Sequence, residues 1–344
     1  MGLLPTLWPR ARAATAGLAS TILVASLLLN GAAGVSAASS GGSAKPAAKN
    51  IIVMISDGLG YNHLKAASYY EYGKDARQIY NRFPVQRAMS TYSSSCSYDP
   101  AKAWGSFEYV KSCYTDSAAA ATAMATGVKT YDAGIGVDAN GGRVANGLEL
   151  AEQKGKATGV ITSVEWTHAT PAGFVAHNVD RNNYAELGQE IVNVSAADVV
   201  MGAGNPWYDA SGNLKVTPNT YKYVGDKETW DALVAGTAGG DADGDGLVDP
   251  WTLIQTRAEF QSLASGPTPE RVLGTAQVYE TLQQGRSGDA FADPYVVPRI
   301  DTVPTLTEMT SAALNILDND PHGLYLMVEG APSTGPPIPT SPGG

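Results

Sequence analysis

The segment Ile51-Ile52-Val53-Met54-Ile55-Ser56-Asp57-Gly58 decides the fold. A short apolar, β-branched run closed by a carboxylate and a glycine reads as a buried strand ending at a turn. Further strands are expected over 159–161, 199–201 and 324–328, with helical patterns over 117–125, 148–154, 184–194 and 306–317 between them. Strands alternating with helices predict an α/β fold, a mostly parallel central sheet flanked by helices on both faces. Ligands of such sheets bind beyond the carboxyl ends of the strands, so the polar residues after each run carry the functional reading. Asp57 follows the first run and Glu329-Gly330 the last, while Thr162-Ser163 leads to His168-Ala169-Thr170. In an extended segment His168 and Thr170 would point the same way. A helix cap or surface turn explains any one of these acids, but together they form an oxygen-rich rim suited to Mg²⁺.

Composition narrows the alternatives. With 33 acidic against 23 basic side chains and a net charge of −10 over 344 residues, no nucleic-acid-binding face is expected. A 44% hydrophobic, 16% charged chain is no disordered polyelectrolyte. Two cysteines cannot build a disulfide scaffold or a Cys-rich zinc module. Cys96 and Cys113 either pair across a Ser/Tyr/Gly-rich stretch or remain two buried thiols.

Residues 1–37 read as a secretory signal, with Arg10 and Arg12, an uncharged run over 13–29 and Val35-Ser36-Ala37 as the cleavage pattern. Small residues interrupt that run before about 20 strongly apolar ones accumulate, so no stable membrane anchor is expected after cleavage. The expected location is periplasmic or secreted. Residues 38–49 read as a linker and 50–330 as the folded domain. The Gly-, Asp-, Pro- and aromatic-rich stretch 203–298 reads as an insertion beside the sheet, and 331–344 as a Pro-rich, disordered tail.

Tyr114-Thr115-Asp116-Ser117 opens an Ala-rich helical body that stops at Gly127. A helix N-terminus seats a phosphate or another oxyanion, so Ser117 can be a nucleophile as well as part of a cap. Its proton needs an acceptor. The chain has four histidines, His63, His168, His177 and His322, and no Gly-x-Ser-x-Gly elbow surrounds Ser117. Metal coordination is the remaining route to the alkoxide.

Taken in order, these motifs resemble the alkaline phosphatase family from about Asn50 to Gly330. Asp57 in Ile-Ser-Asp-Gly resembles the family's metal-bridging aspartate. Thr115-Asp116-Ser117-Ala118, with Thr122-Ala123 and Thr126-Gly127-Val128-Lys129-Thr130, resembles its nucleophile helix. The resemblance implies hydrolysis of phosphate monoesters through a phosphoserine at Ser117. It also implies a phosphate clamp at Arg181, oriented by Asp116, a planar fork matched to two phosphate oxygens. His168-Ala169-Thr170-Pro171-Ala172 is similar to the magnesium motif and Glu329 to the last magnesium ligand. Asp57, Thr170 and Glu329 would hold Mg²⁺, His168 directly or through water, beside two Zn²⁺ ions about 4 Å apart. A homodimer is also implied.

The sequence departs from that pattern after Glu329-Gly330. The family's zinc-ligating Asp and His, five and nine residues beyond the glutamate, and its further Asp-His pair and His are missing from the Pro-rich text that follows. The family's C-terminal strands, and most zinc ligands, are therefore expected to be lacking. Codon degeneracy permits a frameshift here. One codon choice for the tail, read from its third nucleotide, gives Ala-Ile-Asp-Trp-Ala-Ala-His; restoring one lost G after the Glu329 codon puts Asp and His at the family's spacing. The chain is thus expected to be a truncated member with little activity.

Asp241, Asp243, Asp245 and Asp249, with Gly246, match the first half of a calcium loop, but Thr252 stands where the bidentate Glu belongs. A weak Ca²⁺ site and an acidic solvated turn are the two readings. Two other functions compete with the phosphatase: a related phosphodiesterase or sulfatase, disfavoured by Thr-Asp-Ser-Ala with Arg181, and a non-catalytic exported protein that keeps a Mg²⁺ and phosphate pocket. Sequencing the gene through the Glu329 codon tests the frameshift: the shifted frame should encode Asp-Trp and then His, and any other text there removes the idea.

Overall fold

The structure, a computed structural model, describes residues 48–331 except 113, 243–244, 290 and 293–295. The expected signal sequence, most of the expected linker and the tail from 332 onward lie outside the described residues. The chain begins with β1 (Ile51–Ser56), α1 (Tyr61–Tyr72), α2 (Pro100–Gly105), α3 (Phe107–Ser112), α4 (Ser117–Thr126) and α5 (Gly147–Glu152). Next come β2 (Ala157–Glu165), α6 (Ala169–Val175), α7 (Tyr184–Asn193), β3 (Val199–Ala203), α8 (Lys227–Val234) and the short strands β4 (Gly239–Gly240) and β5 (Asp249–Pro250). It continues through β6 (Thr252–Ile254), α9 (Arg257–Leu263), β7 (Val272–Thr275), α10 (Leu306–Leu317) and β8 (Leu324–Gly330).

Six strands form one sheet in the order β1-β8-β2-β3-β7-β6, and every pairing in it is parallel. Side chains alternate between two cores, as a pleated strand requires. Val160, Val200, Leu273, Tyr325 and Met327 face one core with α4, α5, α6 and α7. Ile161, Val199, Met201, Val272, Leu326 and Val328 face the other, under α9 and α10. Helices therefore cover both faces, as expected. Among the described residues no helix is long and apolar enough to cross a membrane.

The stretch 203–298 corrects the expectation of an insertion beside the sheet. Val272-Leu273-Gly274-Thr275 is fully buried and pairs in register with Val199–Gly202, and Thr252–Ile254 adds the next strand. Short strands lying between polar turns hid this contribution, while β4 and β5 form a separate antiparallel pair. Cys96 is disulfide-bonded; Cys113, the other cysteine of the sequence, lies outside the described residues.

Helix α4 packs on α6 through small side chains. A Cβ on Gly173 would come 2.9 Å from the Ala121 Cβ, closer than side-chain carbons approach, so the two backbones sit together only because both surfaces are nearly bare. Since α4 begins at Ser117, this contact sets how deep the serine lies. Replacing Gly173 with Val should overpack the contact, lowering stability by about 1–3 kcal/mol in urea unfolding. Unchanged stability would show that the helices are free to separate.

Candidate active site at the strand ends

Register brings the acids together. In β8, Glu329 lies between Ile55 of β1 and Thr162 of β2, and the Asp57 N–H donates to the Gly330 carbonyl at 3.1 Å. The Glu329 side chain is fully buried. Thr162 Oγ1 donates to its Oε2 at 2.6 Å, and Thr170 bonds it from the start of α6. Its Oε1 is buried with no hydrogen-bond partner. Burial pushes the carboxyl up to about 7; the two threonine bonds oppose the rise, Asp57 adds to it and Arg181 opposes it.

Ser117 meets this rim from the other side. Its hydroxyl donates to Asp57 Oδ2 at 2.9 Å, placing the serine beside the acid that follows β1. Asp116 both caps the helix and orients the arginine: Oδ1 accepts the Ala119 N–H at 2.9 Å, and Oδ2 accepts Arg181 Nη1 at 3.0 Å. Arg181 Nη2 lies 3.2 Å from His168 Nε2. A guanidinium only donates, so Nε2 carries the lone pair there and the proton belongs on Nδ1, which is buried without a partner. Burial, then the Arg181 charge, press His168 down to about 4, against a weaker pull from Asp116; the ring is neutral at neutral pH.

His168 and Thr170 do not share an extended segment. His168 is the extended N-cap residue of α6 (φ −62°, ψ 160°), whereas Thr170 is already helical. Pro171 explains the early start, because a missing N–H is harmless in a helix's first turn. Thr162 was not singled out in the sequence; the β2–β8 register alone reveals it.

The chemistry of the donors discriminates between metals. Asp57, Thr170, Thr162 and the unpartnered Glu329 Oε1 form an oxygen set that fits Mg²⁺. Zinc does not fit the described residues. His63 Nδ1 accepts the Gly60 N–H, His177 is held among Arg143, Glu190 and the Val144 carbonyl, and His322 stands beside Asp320 just before β8, at the opposite end of the sheet. Among the described residues no three His, Cys, Asp or Glu side chains are grouped to hold a metal. Asp241, Asp245 and Asp249 accept the N–H groups of Gly246, Leu247 and Ala242, and Asp243 lies outside the described residues.

The raised Glu329 carboxyl has a consequence for pH. Below its ordinary value of 4.5 the folded and unfolded chains are both protonated, so burial costs no charge. As pH rises to about 7 the unfolded chain ionises first, and that part of the stability is lost. In the metal-free protein, Glu329→Gln should therefore be neutral near pH 4 and stabilising by up to about 3 kcal/mol near pH 8. Thermal melts in chelator check this, and Mg²⁺ should stabilise the parent but not the variant. An equal effect at both pH values would contradict the assignment.

The sequence model described as alkaline phosphatase matches residues 48–333. Alkaline phosphatase H of Pseudomonas aeruginosa is 32% identical over 301 residues, covering 83% of this chain and 60% of that one. Alkaline phosphatase 3 of Bacillus subtilis is 30% identical, covering 82% and 51%. Among solved structures, the cold-active alkaline phosphatase of the psychrophile Shewanella sp. aligns with a TM-score of 0.57 at 26% identity, over 81% of this chain and 56% of that chain. A mutant of TAB5 alkaline phosphatase, with Mg bound in its M3 site, aligns at 0.53 and 25% identity, over 82% and 64%. The chain thus spans between about half and about 60% of the length of these curated relatives. Since that family model spans most of the sequence, the chain belongs to the alkaline phosphatase family.

Proposed function

We propose that the chain binds phosphate monoesters at the N-terminus of α4 and that Ser117 accepts the phosphoryl group. The observation that carries this reading is the 2.9 Å bond from the Ser117 hydroxyl to Asp57 beside an arginine already held by Asp116. Arg181 and the first N–H groups of α4 receive the non-bridging oxygens. Asp57 Oδ2 accepts the serine proton as the Ser117 Oγ–P bond forms. The bond from phosphorus to the ester oxygen breaks, and the alcohol leaves after taking up a proton from water. Bound Mg²⁺, held by Asp57, Thr170 and Glu329, would supply the positive charge that lets the buried Glu329 and the neighbouring Asp57 stay ionised together. The signal-like N-terminus supports export.

Turnover is another matter, because the zinc ligands implied by the family do not assemble among the described residues. The same shortage favours a second reading, an exported phosphate-binding protein without catalysis. Calorimetry and mass spectrometry separate them. With Mg²⁺ present, inorganic phosphate should bind; Arg181→Ala should weaken it about 10- to 100-fold, the worth of a charge-assisted pair, and Ser117→Ala should leave it nearly unchanged. Turnover of an aryl phosphate should fall far below the roughly 10 per second common among enzymes. A phosphate adduct on Ser117 selects phosphoryl transfer, binding without an adduct selects the non-catalytic protein, and phosphate binding indifferent to Arg181 rejects both.

A further inference from the structure

A buried acid close to the site is used by none of the chemistry above. Glu165 ends β2, is only 6% exposed and has a tyrosine hydroxyl, that of Tyr223, as its hydrogen-bond donor. An acid placed so deep needs such a partner to be tolerated. We propose that Glu165 is a positioning residue for the Arg181 guanidinium, acting through Tyr223 and Tyr184. The inference rests on Arg181 being the phosphate clamp.

From Glu165 the path runs to Tyr223, whose ring stands edge-on to Tyr184 at 5.0 Å and 88°. Tyr184 is the first residue of α7, three residues after Arg181, and lies close enough to feel the charge of the guanidinium. The Arg181 guanidinium reaches His168 at 3.2 Å, and the His168 N–H returns to the Glu165 carbonyl at 2.8 Å. One end of the carboxylate's own residue therefore holds the histidine and the other holds the tyrosine, with the arginine between them.

Each link is braced from outside the circuit. Thr167 Oγ1 donates to the Tyr223 carbonyl at 3.1 Å, and Tyr279 packs on the far side of the Tyr223 ring at 5.0 Å while bonding Thr220. The Lys222 ammonium lies over the Tyr223 and Tyr184 rings, 4.5 and 5.4 Å from their centroids. Behind them, a Cβ on Gly188 of α7 would come 2.4 Å from the Gly225 nitrogen, so the helix rests directly on the turn that carries Tyr223. The segment that carries Tyr223 is thus packed against the middle of α7. The Arg181 N–H itself donates to the carbonyl of Ala133, a residue at φ 78°, which pins the backbone and leaves the guanidinium as the part that the tyrosines steer.

Two readouts test this on the full chain. The first is the phosphate dissociation constant with Mg²⁺ present. The second needs no phosphate: the NMR signals of the Arg181 guanidinium N–H groups, identified by their loss in Arg181→Lys. Glu165→Ala and the milder Tyr223→Phe, which keeps the ring and loses the tether, should each weaken phosphate about tenfold and broaden the guanidinium signals. Glu165→Gln, whose amide oxygen still accepts from Tyr223, should restore both. A core variant such as Leu273→Ala, with a comparable fall in melting temperature, should change neither. Sharp, unshifted guanidinium signals in folded Tyr223→Phe would overturn the proposal. If the parent fails to bind phosphate, the clamp reading falls, while the guanidinium signals still decide whether Glu165 positions the side chain.

Discussion

One carboxylate holds the site together. Asp116 gives one oxygen to the Ala119 N–H and the other to Arg181 Nη1. The usual role of an acid at a helix start, satisfying an otherwise orphaned amide, and its role as an orienting partner for a guanidinium are met by the same group. The first fixes Asp116 relative to α4, and the second fixes Arg181 relative to Asp116. A phosphate entering between the helix start and the arginine thus meets donors whose geometry is already set, so little conformational freedom has to be lost on binding. Capping and function are not alternatives at this position.

The sheet supplies the opposite half of the site for a different reason. Parallel register makes Ile55, Glu329 and Thr162 lateral neighbours, and alternation turns Glu329 towards the core that holds α4 and α6. An acid there is costly to ionise, and two threonine hydroxyls do not suffice to restore its ordinary acidity. A divalent cation would resolve the conflict between Glu329 and Asp57 by satisfying the unpartnered Oε1 while both acids keep their charge. The neutral His168 fits this division. It serves Arg181 through Nε2, and the positive charge of the site stays on the guanidinium.

What the sequence discloses follows the range of the forces involved. Helix α10 was legible to the residue because Thr305 and Glu308 form a capping box and an apolar stripe follows. The four strands read as apolar runs were found for similar local reasons; Asp57, Ser117 and Glu329 stood out at the ends of such runs or the head of a helix, whereas Arg181 was singled out only through the family resemblance. Thr162 escaped because its partner is set by strand register, and Glu165 because Tyr223 approaches it from another part of the chain. Strand β7 was misread because Gly274 and the polar turns around it dilute a run whose burial depends on β3 and β6. The extended state considered for the His168–Thr170 segment is not the one adopted: Thr170 is already helical, in the element α6 that packs on α4.

The position of β1 gives the Ser117–Asp57 bond a second purpose. Among the described residues β1 has one neighbouring strand, β8, and α9 and α10 do not cover its outer face, where Ile52 and Met54 are exposed (71% for Met54). A strand paired on one side and packed on one face opens at lower free energy than a central one, yet β1 is the strand that delivers Asp57. The Gly330 carbonyl holds the Asp57 backbone and the Ser117 hydroxyl holds its side chain, so the proposed nucleophile would itself tie down the least supported of the proposed ligands. On the proposed chemistry, phosphorylation of Ser117 would remove that tether as the charge of the site changes. A cation held by Asp57 and Glu329 would then join the Gly330 carbonyl in restraining the end of β1, which would couple metal occupancy to local order there rather than to the global fold.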